Sequence, residues 1–159
     1  MSIGYACLNI GTPNTNIRSV MQRNATPEKL TEVTTHNLAA LEKMIDYNPK
    51  NNIRLFRISS DLIPFGSSPV NALPWWYIHA EAFQHIGAKI RKSGMRVSFH
   101  PGQYTVLNSP DEDVVARAIL DLAYHAKMPE CLGVDNQHKI VLHVGGIYGD
   151  KKEALERFE

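Results

Sequence analysis

The sequence predicts an α/β fold, a TIM-type (β/α)8 barrel of which this chain carries roughly the first four strand-helix units. Short apolar runs alternate four times with longer segments whose apolar residues have helical spacing. The predicted strands begin roughly 40 to 50 residues apart, which leaves room for a crossover helix between parallel strands. Because a complete barrel needs about 250 residues, we interpret residues 1–159 as one partial domain, the N-terminal half of a barrel.

An open, doubly wound sheet is the alternative fold. Such a sheet would carry a glycine-rich phosphate-binding loop after its first strand. The segment that begins at Asn9, N-I-G-T-P-N-T-N, offers a single glycine there, so the barrel is favoured. Half a barrel leaves strand edges unpaired and inner side chains uncovered. We therefore expect the missing barrel half or a second chain to cover them.

The first strand-helix unit is predicted from the amino terminus to Tyr47. Residues 2–9, S-I-G-Y-A-C-L-N, have strand composition, and a loop rich in Gly, Pro, Thr and Asn follows. Thr26 then precedes a proline and a glutamate, which predicts a capped helix start. The helix is expected to end at about Tyr47, before Pro49.

The second unit is predicted over residues 53–94. The run from Ile53 to Ser59 alternates as a strand, and a loop rich in proline and glycine occupies residues 60–73. Pro74 is expected to open one continuous helix that stops at Ser93-Gly94, because glycine commonly ends helices.

The third and fourth units follow the same order. A strand is predicted from Met95 to His100, and Ser109-Pro110 is expected to begin a helix. Residues 139–144 predict a fourth strand, and Asp150 begins a further helix with capping-box spacing. The third helix is expected to bury an apolar stripe of Val115, Ile119 and Leu122.

Composition narrows the class of protein. The chain is 43% hydrophobic and 21% charged, as expected of a soluble globular domain. No apolar run approaches the roughly 20 residues of a membrane helix, so we expect no membrane partner and a cytoplasmic location, nucleoid-associated if the source is prokaryotic. Cys7 and Cys131 are isolated and predict buried, reduced thiols. A net charge of +1 neither favours nor excludes nucleic acid.

Two histidines stand at predicted strand ends, where barrel enzymes carry their working residues. His100 ends the third strand and His143 lies near the end of the fourth. Neighbouring strands are about 4.8 Å apart, so two inward-facing imidazoles there can converge on one metal ion. A single strand-end histidine would more often serve packing. Two at equivalent positions favour a metal site.

The loop beyond His100 carries a second candidate group. Gln103 and Tyr104 could form a wedge that enters a distorted base stack, and Tyr5 would project into the same region. The alternative is an ordinary loop with the Tyr104 ring packed on the barrel mouth, and the pattern does not decide between them.

Four segments resemble the ultraviolet damage endonuclease family. They are I-G-Y-A-C-L-N, L-F-R-I-S-S-D-L-I-P-F, V-S-F-H-P-G-Q-Y-T-V-L-N-S-P and I-V-L-H-V-G-G. The resemblance implies a barrel related to that of endonuclease IV, several divalent ions, commonly Mn²⁺, and metal-assisted hydrolysis of damaged double-stranded DNA immediately 5′ to a photolesion.

The same resemblance implies roles for individual residues. His100 and His143 would bind metal, and Gln103 with Tyr104 would probe the damaged bases. Tyr5 matches an aromatic residue near the lesion, and Asn9 a polar residue near the cleaved phosphate.

The chain departs from the family pattern in two respects. Ser67-Ser68-Pro69 stands where the family commonly has a histidine before the proline, so Ser68 replaces a metal ligand. The acidic ligands, the further histidines and a modified lysine come from later strands of the family. We therefore expect the isolated chain to have little nuclease activity. A non-catalytic damaged-DNA-binding module and a metal-dependent, sugar isomerase-like barrel are the alternative functions.

Overall fold

The computed structural model describes residues 3–143 and 145–158. Within them, four parallel strands form one sheet in the order β1-β2-β3-β4, and helices connect consecutive strands. Short 3₁₀ helices occupy Gln22–Asn24 and Ser60–Leu62. The other elements are β1 (Ile3–Ala6), α1 (Pro27–Lys50), β2 (Ile53–Ile58), α2 (Trp75–Ile78), α3 (Ala80–Ser93), β3 (Arg96–Phe99), α4 (Glu112–Leu132), β4 (Lys139–Ile140) and α5 (Lys151–Glu156).

The strand order distinguishes the two folds considered above. A doubly wound sheet reverses direction at a switch point between its halves, whereas each strand of this sheet lies beside its predecessor in sequence. The predicted α/β class is confirmed, and the order is that of successive barrel units.

The core lies between the outer face of the sheet and the helices. Phe56 pairs in register with Val97, and Ile58 with Phe99. All four side chains are buried. Helices α1, α3 and α4 pack over them, and each fully buried large side chain contributes about 1.5–3 kcal/mol. The helices supply Leu38, Leu41, Met44, Ile45, Phe83, Ile86, Ile90, Tyr124, Met128 and Leu132.

The inner face of the sheet is more polar and more open. Leu55, Arg57, Arg96 and Ser98 line a shallow hollow of about 340 Å³ together with the backbone of β1. These side chains alternate with the buried outer row, as the period of two along a strand requires.

The first two predicted helices differ from the structure at one place each. Helix α1 continues through Pro49 to Lys50. The proline is tolerated there because in the last turn it removes only one hydrogen bond, and the Asn48 side chain beside it is fully buried. The single helix predicted from Pro74 is broken at His79, whose backbone (φ −109°, ψ 20°) separates α2 from α3.

Helix α4 begins later than predicted and buries another face. Its cap is Asp111, whose carboxylate accepts hydrogen bonds from two following N–H groups, so Ser109-Pro110 precedes the helix. Ile119 of the predicted stripe is 56% exposed. The buried face comprises Ala118, Tyr124, His125, Met128 and Leu132.

All four strands are shorter than predicted, β2 and β3 by one residue or two and β1 and β4 by more. Strand β1 ends at Ala6, because Cys7 has a φ of 61° and leaves the extended region. Strand β4 ends at Ile140, beyond which Val141 N–H still donates to the Phe99 carbonyl at 2.8 Å. Ser2 and Val144, the outer limits of these predictions, lie outside the described residues. No helix in the described segments is long and apolar enough to cross a membrane.

Candidate functional site

The two predicted histidines meet at the carboxyl-terminal edge of the sheet. The rings of His100 and His143 lie 4.8 Å apart between centroids and nearly perpendicular, at 86°. His100 follows β3 directly, whereas His143 stands on the segment that follows β4. His100 is half-buried and His143 exposed, so this edge presents two imidazoles to an incoming ion or substrate.

The side chains of this pair are of a type that binds metal ions. Neutral imidazole nitrogen is a common ligand of divalent transition metals. Within residues 3–143 and 145–158, no group of three or more His, Cys, Asp or Glu side chains is arranged to hold a metal ion. The described residues therefore offer two neighbouring imidazoles and no complete ligand set.

The loop beyond His100 projects an exposed tip from a buried base. Tyr104 is 83% exposed, whereas the neighbouring Thr105 is 5% exposed. Thr105 N–H donates to the Gly102 carbonyl at 3.0 Å and closes the turn that carries Gln103 and Tyr104. In the described part of the chain the Tyr104 ring is therefore not packed against neighbouring side chains.

A cavity of about 890 Å³ lies beside this tip. Gln103 and Tyr104 form part of its wall, and the loop after β2 and helix α4 form most of the remainder. Charged side chains face it from both sides, with Asp61 on the loop and Arg117 and Asp121 on the helix. The cavity can accept a polar, partly aromatic group next to the exposed tip.

Tyr5 of β1 and Asn9 of the loop that follows form a separate group. The Asn9 amide donates to the Tyr5 hydroxyl at 3.4 Å, and the Tyr5 ring contacts Phe56 with centroids 4.9 Å apart. Burial raises the pKa of Tyr5, against the opposing effect of the Asn9 hydrogen bond. Because Tyr5 is in register with Phe56, it faces the helices and does not line the cavity beside Gln103.

Ser68 is bound to its own loop. Its hydroxyl accepts a hydrogen bond from Val70 N–H at 3.3 Å, and its N–H donates to the Phe65 carbonyl at 2.9 Å. The adjacent Ser67 lines the cavity.

Sequence reasoning missed a polar cluster beneath the two loops. His125 is buried, and its ring nitrogens lie 3.2 Å from the Ser60 hydroxyl and 2.8 Å from the Asp121 carbonyl oxygen. The Asp121 carboxylate accepts a hydrogen bond from the Thr105 hydroxyl at 2.5 Å. Asp121 and His125 are four residues apart, a spacing that places two side chains on one helical face, and this signal could have identified them.

Tyr124 joins the same region. Its hydroxyl donates to the Ser60 carbonyl at 2.9 Å and accepts from Ile63 N–H at 3.3 Å. Burial raises the pKa of Tyr124, so the phenol stays neutral and keeps the proton that it donates.

The chain is similar to a known family over nearly its whole length. The family model described as UV-endonuclease UvdE matches residues 2–159. A UV DNA damage endonuclease of Clostridium perfringens is 45% identical over 158 residues, which are 99% of this chain and 38% of the relative. One of Bacillus velezensis is 37% identical over 140 residues, 87% of this chain and 43% of that protein. The chain thus spans less than half the length of these curated relatives.

A solved structure agrees with the fold. The crystal structure of SacUVDE matches 99% of this chain and 54% of its own with a TM-score of 0.95 and 35% sequence identity. Together with the strand order, this match confirms the prediction of the first four strand-helix units of a barrel.

Proposed function

Because the chain belongs to the UV-endonuclease UvdE family, we propose that it contributes to an enzyme that hydrolyses DNA immediately 5′ to ultraviolet photolesions. One observation carries the proposal: a pair of facing imidazoles stands beside an exposed Gln103-Tyr104 tip. A DNA repair nuclease needs both a charge-neutralising centre at a phosphate and a device that distinguishes damaged bases. The family favours the nuclease over a sugar isomerase.

His100 and His143 would hold a divalent cation, Mn²⁺ in this proposal. Such a cation, when bound, lowers the pKa of a water molecule and neutralises charge on the phosphate. Their two nitrogens fit that donor set, and the remaining ligands would come from the rest of a complete barrel. Ser68 would be a poor ligand at best, because a neutral hydroxyl binds a metal ion more weakly than an imidazole does, and its hydroxyl also accepts from Val70 N–H.

Gln103 and Tyr104 would select damaged duplex DNA. Bases at a photolesion are poorly stacked, so they cost less free energy to displace than intact ones. The Tyr104 ring is free to stack because it is exposed, and the adjacent cavity offers room for a displaced group. Asn9 would lie near the cleaved phosphate. Tyr5, whose hydroxyl accepts from the Asn9 amide at 3.4 Å, would act near the lesion through that contact and not through its ring, which packs against Phe56.

The complete barrel would carry the activity, in a cytoplasmic protein associated with the nucleoid if the source is prokaryotic. Residues 1–159 would then be one partial domain. Strands β1 and β4 each pair with one neighbour in the described sheet, so a barrel half or a second chain would cover their free edges.

A chimaeric protein tests the proposal. This chain would replace the matching residues of the Clostridium perfringens relative, and nicking of irradiated and unirradiated duplexes would be measured in Mn²⁺. We expect nicks 5′ to lesions only. The variants His100→Ala and His143→Ala should lose bound manganese and nicking, whereas the control His85→Ala, an exposed histidine on α3, should retain both.

The lesion preference is tested separately. Replacing Gln103 and Tyr104 together by Ala should remove the preference for irradiated DNA. Equal nicking of both duplexes by the parent chimaera would overturn the proposal. Salt-sensitive binding of the 159-residue chain to irradiated duplex, with no nicking by the chimaera, would favour the damaged-DNA-binding module.

A further inference from the structure

We infer that Asp121 and His125 on α4 are positioning residues that fix the Gln103-Tyr104 tip and the His100 strand end relative to each other. The inference rests on the proposed function, since it gives these two groups a shared task on DNA. The proposed function assigns no role to either residue. Both lie beneath the loops that follow β2 and β3. The His125 side chain is buried, and the Asp121 side chain is 23% exposed at the border of the buried face.

The first arm runs from Asp121 to the tip. The Thr105 hydroxyl donates to the Asp121 carboxylate at 2.5 Å, and hydrogen bonds to charged acceptors are among the stronger ones in proteins. Thr105 is the buried base of the turn that carries Gln103 and Tyr104. The direction of the exposed tip is therefore set by a contact to α4.

The second arm runs from His125 to His100. The Ser60 hydroxyl donates to the His100 carbonyl at 2.6 Å. A hydroxyl carries one proton, so the contact of 3.2 Å between Ser60 and His125 Nε2 requires the imidazole to donate. The backbone of the metal-facing histidine is thereby held through Ser60 by a side chain of α4.

The two arms meet within one turn of helix. The backbone carbonyl oxygen of Asp121 lies 2.8 Å from His125 Nδ1. The Asp121 carboxylate lies 3.7 Å from the same nitrogen. Both ring nitrogens of His125 thus lie within hydrogen-bond distance of oxygen atoms, one on Asp121 and one on Ser60. One helical turn therefore sets the separation of tip and strand end.

A purely packing role would not require this chemistry. Buried polar groups lose solvation free energy on folding, and apolar side chains of similar volume commonly stabilise a core at least as well. Sites that act on a substrate need their groups held within about 0.5 Å. Hydrogen bonds from two loops to one turn of a long helix supply that constraint, since their lengths and directions are narrow.

The two arms can be separated by substitution in the chimaera described above. Thr105→Val keeps the side-chain shape and removes the tip contact, whereas Ser60→Ala removes the His100 contact. Binding to irradiated and unirradiated duplexes would be measured in EDTA, and retained manganese would be measured without DNA. Thr35→Val on the exposed face of α1 is the control for loss of a threonine hydroxyl.

We expect Thr105→Val and Ser60→Ala each to impair one of the two measured properties and to leave the other unchanged. Thr105→Val should lower the preference for irradiated DNA by about tenfold, the cost of losing a charge-assisted hydrogen bond, and leave retained manganese unchanged. Ser60→Ala should lower manganese affinity by a similar factor and leave the preference unchanged. Asp121→Leu should impair both properties, and Thr105→Ser should restore the preference.

Other outcomes overturn the inference. Variants that lose preference and manganese together, in proportion to their loss of thermal stability, would show that the cluster serves packing alone. An unchanged preference for irradiated DNA in Thr105→Val, together with unchanged manganese retention in Ser60→Ala, would contradict a positioning role for Asp121 and His125. A parent chimaera without preference for irradiated DNA would overturn the proposed function and with it the first arm, while manganese retention in Ser60→Ala would still decide the second.

Discussion

At the scale of single residues, His138 joins a loop to the sheet through one ring nitrogen. Val97 N–H donates to its Nδ1 at 3.0 Å, which requires an unprotonated nitrogen. Burial lowers the pKa of His138 below its ordinary value of 6.5, although Asp135 acts in the opposite direction. The sequence gives no sign of this bond to β3, because it joins residues 41 positions apart.

The lowered pKa of His138 makes folding sensitive to acid. Below pH 6.5 the unfolded chain binds a proton that the folded chain excludes, so the free energy of unfolding falls as pH falls from that value toward the folded pKa. We expect a loss of about 1 kcal/mol, measured by urea unfolding at pH 7.5 and pH 5. His138→Asn, whose amide oxygen can accept without titrating, should reduce this loss. His79, whose pKa is also lowered by burial, should account for part of the remainder, and an equal loss in His138→Asn would contradict the assignment.

Gly87 marks the closest approach of α3 and α4. A Cβ at this position would lie 1.7 Å from the Leu132 carbonyl oxygen, a backbone atom. Arg91 of the same helix donates to that oxygen at 2.8 Å, so α3 also binds the end of α4.

Gly87→Ala should therefore destabilise the chain by about 1–3 kcal/mol through overpacking, measured by chemical denaturation. The sign is diagnostic, because glycine-to-alanine changes inside exposed helices normally stabilise by about 1 kcal/mol. Gly102→Ala adds a methyl group in open space and serves as the control. Stabilisation by Gly87→Ala would show that the helices are not in tight contact.

At the scale of elements, α1 is tied to two loops by one fully buried amide. Asn37 accepts from Arg18 N–H at 2.8 Å and donates to the carbonyls of Arg18 and Leu62 at 3.0 Å each. These bonds join the loop after β1 to the loop after β2. Helical periodicity marks Asn37 only as a polar interruption among apolar residues.

Asn37→Asp should cost about 2–3 kcal/mol, because a carboxylate of the same shape cannot donate to the two carbonyls and leaves them unsatisfied in the interior. Thermal unfolding of the 159-residue chain would measure the loss. Asn24→Asp, at an exposed position, should change stability little. A small effect at Asn37 would mean that the loops are held by other contacts.

At the scale of the whole molecule, the inner face of the sheet carries two arginine side chains that form no ion pair in the described part of the chain. Arg57 and Arg96 line the hollow on this face, and no ion pair within the described residues includes either of them. The Arg57 Nε atom is buried and lacks a hydrogen-bond partner there. We expect a complete barrel to bring acceptors to this face.

Arg57→Leu should thus have opposite effects in two proteins. In the 159-residue chain it should leave the unfolding free energy unchanged or raise it, since an uncompensated charge is removed. In the chimaera it should lower the unfolding free energy by about 1–3 kcal/mol, because its partners become unpaired. Chemical denaturation of both proteins measures the difference, and equal effects would contradict the expectation that the complete barrel supplies acceptors to Arg57.

The sequence by itself determined the fold class and half of the candidate site. Periods of two and of 3.6 residues identified each strand and most helices, because these patterns arise from local geometry. Parallel strands end at one edge, so the convergence of His100 and His143 followed from their positions, and the structure places their rings together. The exposed Gln103-Tyr104 tip was one of two readings that the sequence left open.

Only the tertiary structure decided contacts between distant segments. It selected which of two apolar faces α4 buries, placed Tyr5 against Phe56, and joined Thr105, Asp121, His125 and Ser60 beneath the site. The physical reason is that local periodicity reports which residues share a face, whereas burial and hydrogen-bond partners depend on what the rest of the fold places opposite that face.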